Sequence, residues 1–351
     1  MLFGSDNTVG ASPRVLQALV DANAGVQPSY GNDAWTALAE QRIAECFAHE
    51  VKVFFVGSGT VANSLALSAL VPPWGAVLAQ ADAHIVRDES TAPELFTGGA
   101  RIQGLAPHAG KLTAAAIQAG VGGAGHPPHH PLPGALSVTQ INERGLVYTP
   151  AELQTLTAAA RQHGLRTHMD GARFANAVAA LQCHPADITW RAGVDVLSLG
   201  ASKNGALMAE AVVFFDPALA HDFAWRVKRA GQMAAKGRFF GAQFVAWLAD
   251  GHWLTLAAHA NAMAARLAQG LANARHARLA WPAAANQVFA ILPAQLAQSL
   301  RERGAQFYPW RGAWQDGDPV LDSNEVLVRL VTSFATTPEQ IEQFLIHLSQ
   351  E

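Results

Sequence analysis

Short continuous apolar runs alternate with segments of helical periodicity through the first two-thirds of the chain. Residues 51–56 predict a strand and 61–70 a helix, and residues 76–80 and 135–140 predict two further strands. Residues 150–163 predict a helix, with Pro150 at its start and Gly164 just past its end. Strands follow at 165–169, 194–199 and 211–215. Apolar strands that alternate with helices predict a mostly parallel sheet covered on both faces. The stretch 53–81 carries no charge and has the length of a membrane span, but Gly57-Ser58-Gly59-Thr60, Asn63 and Pro72-Pro73 interrupt it. It predicts strand, loop and helix inside a core.

From Pro217 the pattern turns helical, over 218–248 and 252–271. Short strands at 286–292 and 326–332 then alternate with helices at 293–302 and 338–349. The whole predicts an α/β chain with a large domain over residues 1–250, N-terminal segment included, and a small C-terminal α/β domain over 251–351. No internal repeat is visible. Residues 120–133 form a loop rich in Gly, Pro and His, the least structured segment of the chain.

Composition narrows the function classes. At 351 residues, half of them hydrophobic and 15% charged, the chain can bury a large core and is not of the disordered type. Net charge is −3 and the basic residues are scattered, apart from Arg226, Lys228 and Arg229, so neither nucleic acid nor a membrane surface is an expected partner. Cys46 and Cys183 are too few for a disulfide framework, and neither sits in a CxxC pair. The start, Met1-Leu2-Phe3-Gly4-Ser5-Asp6, lacks a basic region followed by an apolar run. A cytoplasmic setting is the expectation.

Three features carry chemistry. Asp170-Gly171-Ala172-Arg173 directly follows the strand at 165–169, and ligands of open α/β sheets bind at the carboxyl ends of strands; alone, Asp170 reads more often as a cap of the next helix. Ser202-Lys203-Asn204-Gly205 follows the strand at 194–199, where apolar surroundings lower a lysine's pKa and free its amine for Schiff-base chemistry. Lys203 alone could be a surface lysine in a turn. Gly57-Ser58-Gly59-Thr60 lies between strand and helix, where backbone N–H groups and the helix dipole hold a phosphate. It is neither a P-loop nor a Rossmann fingerprint. Pyridoxal phosphate (PLP) needs all three: an amine for its aldehyde, a carboxylate to keep the pyridine nitrogen protonated, and a phosphate cradle.

Here the chain resembles the threonine aldolases, and through them the aspartate-aminotransferase-like (fold type I) PLP enzymes. Matching pieces span nearly the whole chain: Ser5-Asp6-Asn7, Tyr30-Gly31-Asn32-Asp33, Gly57 to Asn63, Ala83-His84, Asp170-Gly171-Ala172-Arg173, Ser202-Lys203-Asn204-Gly205 and Val328-Arg329-Leu330-Val331-Thr332. The lysine segment and the stretch from Ser137 to Tyr148 are similar to the low-specificity L-threonine and phenylserine aldolase branch. The resemblance implies that Lys203 is the Schiff-base lysine and Asp170 the partner of the pyridine nitrogen. It implies that Ser58, Gly59 and Thr60 hold the phosphate, with Ser202 beside the lysine and Arg238 reaching a phosphate across a dimer. His84 would stack on the cofactor ring and act on the substrate hydroxyl, directly or through water. Ser5, Arg173 and Arg329 would hold the substrate carboxylate, and Tyr30 would come from a neighbouring subunit in a homodimer or homotetramer with shared sites. Some family members carry a second active-site histidine after the strand that matches 135–140; that loop reads Asn142-Glu143-Arg144-Gly145 here.

Local readings stand beside these roles. His84 could be a loop histidine and Tyr30 ordinary turn packing. Arg329 stands mid-strand among apolar residues, where an unpaired charge is costly, so a carboxylate ligand explains it better than a structural ion pair. His126, His129 and His130 have no Cys or carboxylate beside them, so no metal is expected. The implied reaction is cleavage of L-threonine, L-allo-threonine or L-phenylserine to glycine and an aldehyde. The rivals are an aminotransferase and a non-catalytic binding protein on the same fold. Serine hydroxymethyltransferase does similar chemistry, but the chain is short for that family.

Overall fold

The computed structural model describes residues 1–310, 312 and 318–349. The main sheet has seven strands: β1 (Lys52–Val56), β2 (Gly75–Gln80), β3 (Arg101–Leu105), β4 (Leu132–Thr139), β5 (Arg166–Gly171), β6 (Val196–Gly200) and β7 (Glu210–Phe214). Their spatial order is β1-β7-β6-β5-β4-β2-β3. The five strands from β6 to β3 run parallel, while β7 pairs antiparallel with both β6 and β1. The mostly parallel sheet expected from the apolar runs is present. Successive residues explain why those runs are continuous. Val196, Val212 and Phe214 enter one apolar cluster, and Leu197, Leu199 and Val213 enter another. Both faces of the strands are buried, so apolar residues predominate on both, with few polar positions such as Ser198 and Glu210 among them. The uncharged stretch 53–81 folds as β1, a loop, the helix Gly59–Leu70 and β2, and among the described residues no helix is long and apolar enough to cross a membrane.

A second, antiparallel sheet holds β8 (Arg278–Leu279), β9 (Gln287–Pro293), β10 (Tyr308–Pro309) and β11 (Glu325–Val331), in the order β10-β11-β9-β8. The helix His252–Ala272 serves both cores: Trp253 and Ala257 pack into the larger, Ala264, Leu267 and Leu271 into the smaller. The chain start also belongs to the small core. Phe3 is buried there, its N–H donates to Gln306 O at 2.8 Å, and its carbonyl accepts from Val331 N at 2.9 Å. This anchor delivers Ser5 and Asp6 to the space between the sheets.

Two expectations need adjusting. The helical stretch 218–248 is interrupted: helices Phe223–Arg229 and Arg238–Leu248 flank a turn where Gly231 takes a positive φ of 71°. The loop of 120–133 is shorter than expected, because the helix Ala114–Gly122 runs into it and β4 opens at Leu132. The strand β3 and the helices Pro13–Ala22 and Ala34–Phe47 carry no signal used above.

Candidate active site

The carboxyl ends of β4, β5 and β6 open into a cavity of about 430 Å³, closed from the other side by β10, β11 and the Ser5–Asn7 segment. Close strand ends bring the chemistry together. A Cβ on Gly171 would stand 2.7 Å from Ser198 O, and one on Gly200 2.8 Å from Ala172 Cα, so only glycine lets β5 and β6 approach there. Asp170 ends one strand and Lys203 follows the other, in a short 3-10 turn Ser202–Asn204. That turn is pinned: Asn204 Nδ2 donates to Trp253 O at 2.8 Å, and Trp247 Nε1 donates to Asn204 O at 2.9 Å. Ser202 does not line the cavity; its hydroxyl accepts from Ala209 N at 3.2 Å and ties the turn to the approach of β7.

The polar groups of the cavity are conspicuously under-satisfied. Asp170 is buried, accepting from Asn63 Nδ2 at 2.9 Å and Ala172 N at 3.0 Å, with no cation among the described residues bonded to it. Lys203 makes no hydrogen bond or ion pair to any described residue. At the mouth of the helix Gly59–Leu70, Ser58 caps Val61 N, and an added Cβ at Gly59 would meet nothing within 4 Å. The first N–H groups of that helix therefore face open space with a favourable dipole. Ser58 supplies the cap rather than a cavity wall; Gly59 and Thr60 line the cavity. Beneath Asp170 on the same strand, His168 bridges Ser137 Oγ (2.9 Å) and Ser198 Oγ (3.0 Å). Burial pushes its pKa down to about 4, so it is a neutral strut.

His84 opens the short helix His84–Arg87 after β2. Its Nδ1 lies 2.8 Å from Glu89 Oε1, and the same oxygen accepts from Asn63 Nδ2 at 2.9 Å. The hydrogen bond to Glu89 raises His84 above the ordinary histidine range, against the opposing effect of burial. Burial raises Glu89 in turn. The pair holds a proton against the cavity, and Asn63 connects it to Asp170. Glu210, buried behind Lys203, accepts from Ala201 N at 3.2 Å, and burial pushes it up to about 7.

The two arginines differ in a way the sequence does not show. Arg173 is bidentate to Asp6, at 2.7 and 2.9 Å, and the Gln287 amide, its oxygen turned toward Arg173, accepts from Nη1 at 2.8 Å. Asp6 is lifted by burial, but Arg173 and then Lys203 outweigh this and hold it below the ordinary carboxylate range. Arg329, mid-way along β11, has no hydrogen bond or ion pair among the described residues. Burial and the nearby Arg173 pull its pKa below the usual arginine value. Tyr30 and Arg238 do not line the cavity. They lie together on another patch: an added Cβ on Gly237 would stand 2.8 Å from Gly31 N, Arg238 Nη1 donates to Gly25 O at 3.3 Å, and Arg238 Nε is buried without a partner.

Of the residues singled out in the sequence, Ser5, Gly59, Thr60, His84, Asp170, Arg173, Lys203 and Arg329 thus meet in one cavity. Sequence reasoning passed over Glu89, Glu143, Asn63 as a side-chain ligand, Asp6 as the partner of Arg173, and Gln287. For Glu143 a signal existed: it follows β4 at the same carboxyl edge that supplies Asp170 and Lys203.

An amine and a buried carboxylate that have, among the described residues, no partner and no cation respectively, together with open helix N–H groups at one cavity, fit an aldehyde, a protonated ring nitrogen and a phosphate, which are the three handles of PLP. Fold and site define a fold type I PLP-dependent enzyme. The chain matches the β-eliminating lyase family over residues 3–295 and belongs to that family, among its threonine aldolases. It is 43% identical to the low specificity L-threonine aldolase of Pseudomonas aeruginosa over 310 residues, 88% of this chain and 89% of that one. A threonine aldolase structure from Leishmania major superposes with a TM-score of 0.92 at 31% identity, covering 99% of this chain and 98% of the other. Serine palmitoyltransferase from Sphingomonas wittichii shares the fold, with a TM-score of 0.71 at 19% identity over 100% of this chain and 86% of its own.

Proposed function

We propose that this protein cleaves the Cα–Cβ bond of β-hydroxy-α-amino acids, L-threonine, L-allo-threonine and L-phenylserine among them, to give glycine and an aldehyde. The observation that carries the reading is the convergence of Lys203, an Arg329 with no partner among the described residues, and the hydrogen-bonded His84–Glu89 pair on one cavity. Lys203 and Asp170 hold PLP by its aldehyde and ring nitrogen, and Gly59 and Thr60, set by the Ser58 cap, hold its phosphate. Bound PLP supplies a sink for the electron pair released at Cα. Arg329 takes the α-carboxylate in a bidentate pair, with Ser5 beside it. Arg173, neutralised by Asp6, positions that anion rather than competing for it. Fixing the carboxylate orients the substrate so that Cα–Cβ is the bond aligned for cleavage. His84, whose hold on a proton its hydrogen bond to Glu89 strengthens, exchanges a proton with the substrate side of the cavity.

Tyr30 and Arg238 sit together outside the cavity, which supports a homo-oligomer in which this patch serves the cavity of a second copy. The test is product analysis with purified, PLP-loaded protein. Threonine should yield glycine and acetaldehyde in equal amounts without a keto acid. Transfer of the amino group to a keto acid instead would identify an aminotransferase, and absence of any turnover with PLP bound would favour a binding protein.

A further inference from the structure

We propose that Glu143 is a catalytic residue of this cleavage: its carboxyl group takes the proton of the substrate's β-hydroxyl from the cavity wall beside His84. The inference rests on the aldolase reading above and adds a group to it. Glu143 lines the cavity in the turn that follows β4. Its Oε1 accepts from the backbone N–H of His84 at 2.8 Å. Its Oε2 is buried and has no hydrogen-bond partner among the described residues.

A capping role accounts for only half of this. The helix His84–Arg87 has Ala83 at its N-cap, with no side-chain cap of its own, and Glu143 Oε1 meets that need. Capping explains neither the idle Oε2 nor the choice of an ionisable group where a neutral amide would do. Leaving a buried acceptor without a partner costs about 1–3 kcal/mol, so its persistence at a cavity wall points to a ligand that completes it.

The turn is built to hold that carboxyl in place. Asn142 Oδ1 accepts from Arg144 N at 3.1 Å and Leu146 N at 3.0 Å, while its Nδ2 donates to Gly110 O at 2.9 Å. The next residue, Arg144, is buried and committed elsewhere. It donates to Asp82 at 3.0 Å and to Asp318, it stacks between Trp281 and Trp310 at 5.5 and 5.1 Å, and its carbonyl accepts from Trp281 Nε1 at 2.6 Å. The cation nearest in sequence is therefore not available to hold Glu143 ionised. The groups that act on Glu143 are Asp170, which disfavours its charge, and the His84 backbone N–H, its own backbone N–H and the His84 imidazole, which favour it; Tyr148 feels its charge in turn. Burial is the largest influence, and the carboxyl is pushed up to about 7. A group that is half-protonated near neutrality is matched to taking a proton and giving it back.

The step balances within the amino acid. The β-oxygen–hydrogen bond breaks and its proton passes to Glu143, while that bond's pair becomes the second C–O bond of the aldehyde. The Cα–Cβ bond breaks and its pair remains with the glycine fragment. A proton delivered to Cα completes glycine and restores the starting protonation, with no net oxidation or reduction.

The test uses PLP-loaded Glu143→Gln, which keeps an acceptor for His84 N–H and the side-chain volume but cannot take a proton. Cleavage of threonine should fall in kcat by about 100-fold or more with KM nearly unchanged, a size typical of a lost general base. The rise of kcat/KM with pH through about 7 should disappear. Exchange of the glycine α-proton with D2O involves no β-hydroxyl and should stay within about threefold of wild type. In the cofactor-free protein, the infrared pH-difference spectrum should lose one carboxyl band titrating near 7, and the band of Glu210 should remain. A Gln variant that cleaves as fast as wild type would overturn the proposal. So would cleavage and glycine exchange falling together, because that is the signature of a purely structural role. A wild-type protein that exchanges glycine but forms no aldehyde would instead overturn the aldolase reading, and this inference with it.

Discussion

Arg329 offers a test in which function and stability should move in opposite directions. It stands on β11 between Val328 and Leu330, both buried, and its guanidinium reaches the cavity without a described partner. When the substrate carboxylate arrives it gains two parallel charge-assisted hydrogen bonds, each contributing about 1.5–3 kcal/mol. Arg329→Lys keeps the charge but not the fork, losing about one of the two bonds. At 1.36 kcal/mol per factor of ten, that is about a 10- to 150-fold fall in kcat/KM. Arg329→Met removes both, and truncating one side of a buried charge pair costs about 3–5 kcal/mol, or about 150-fold to 5,000-fold. In the substrate-free protein the sign reverses. There the guanidinium is a partly desolvated charge with no carboxylate among the described residues, so Arg329→Met should stabilise the fold by roughly 1 kcal/mol. For a chain of this size that is a rise in Tm of about 1–2 °C. The assays are aldehyde formation from threonine and from phenylserine, and calorimetry without substrate. Because the α-carboxylate is common to both substrates, the two kcat/KM values should fall by a similar factor while the cofactor stays bound. A loss confined to one substrate, release of PLP, or a lower Tm for Arg329→Met would refute the reasoning and move Arg329 to another role.

Lys203→Ala should abolish turnover while leaving circular dichroism unchanged, and borohydride reduction followed by peptide mapping should place the pyridoxyl label on Lys203 and on no other lysine. Sedimentation at assay concentration should find at least a dimer, since Tyr30 and Arg238 lie off the cavity of their own chain; an active monomer would contradict the shared site. Glu210→Gln tests the buried carboxyl behind Lys203; burial raises the Glu210 carboxyl in the folded state from the ordinary 4.5 to about 7. The proton is held more tightly in the folded chain, so its stabilising effect is complete below pH 4.5 and is lost as pH rises through about 7. Cofactor-free Glu210→Gln should therefore match wild type in Tm at low pH and exceed it at pH 8, whereas equal Tm values at pH 8 would show that Glu210 ionises at no cost.

The sequence alone determined the elements whose signals are local. Strands buried on both faces read as unbroken apolar runs, which located β1, β2, β5, β6 and β7 to within two residues. The last helix, Pro338–Ser349, matches its expected bounds because proline marks its start and an amphipathic repeat fills it. Asp170 and Lys203 were legible because a chemical residue at the end of an apolar strand is unusual in itself. The strand β3 was not, since Arg101 and Gln103 break its apolar pattern at the sheet edge, and β8 and β10 are two residues each. What only the tertiary structure decided is which charges are spent and which are free. Arg173 and Arg329 read alike in sequence, yet Asp6, 167 residues away, occupies the first and nothing described occupies the second. His84 is raised by its hydrogen bond to Glu89, and Glu143 is desolvated across a gap of 59 residues from the His84 N–H whose hydrogen bond it accepts. Burial and partner choice arise only when distant segments pack, and these two quantities set the pKa and the availability of every group in the cavity.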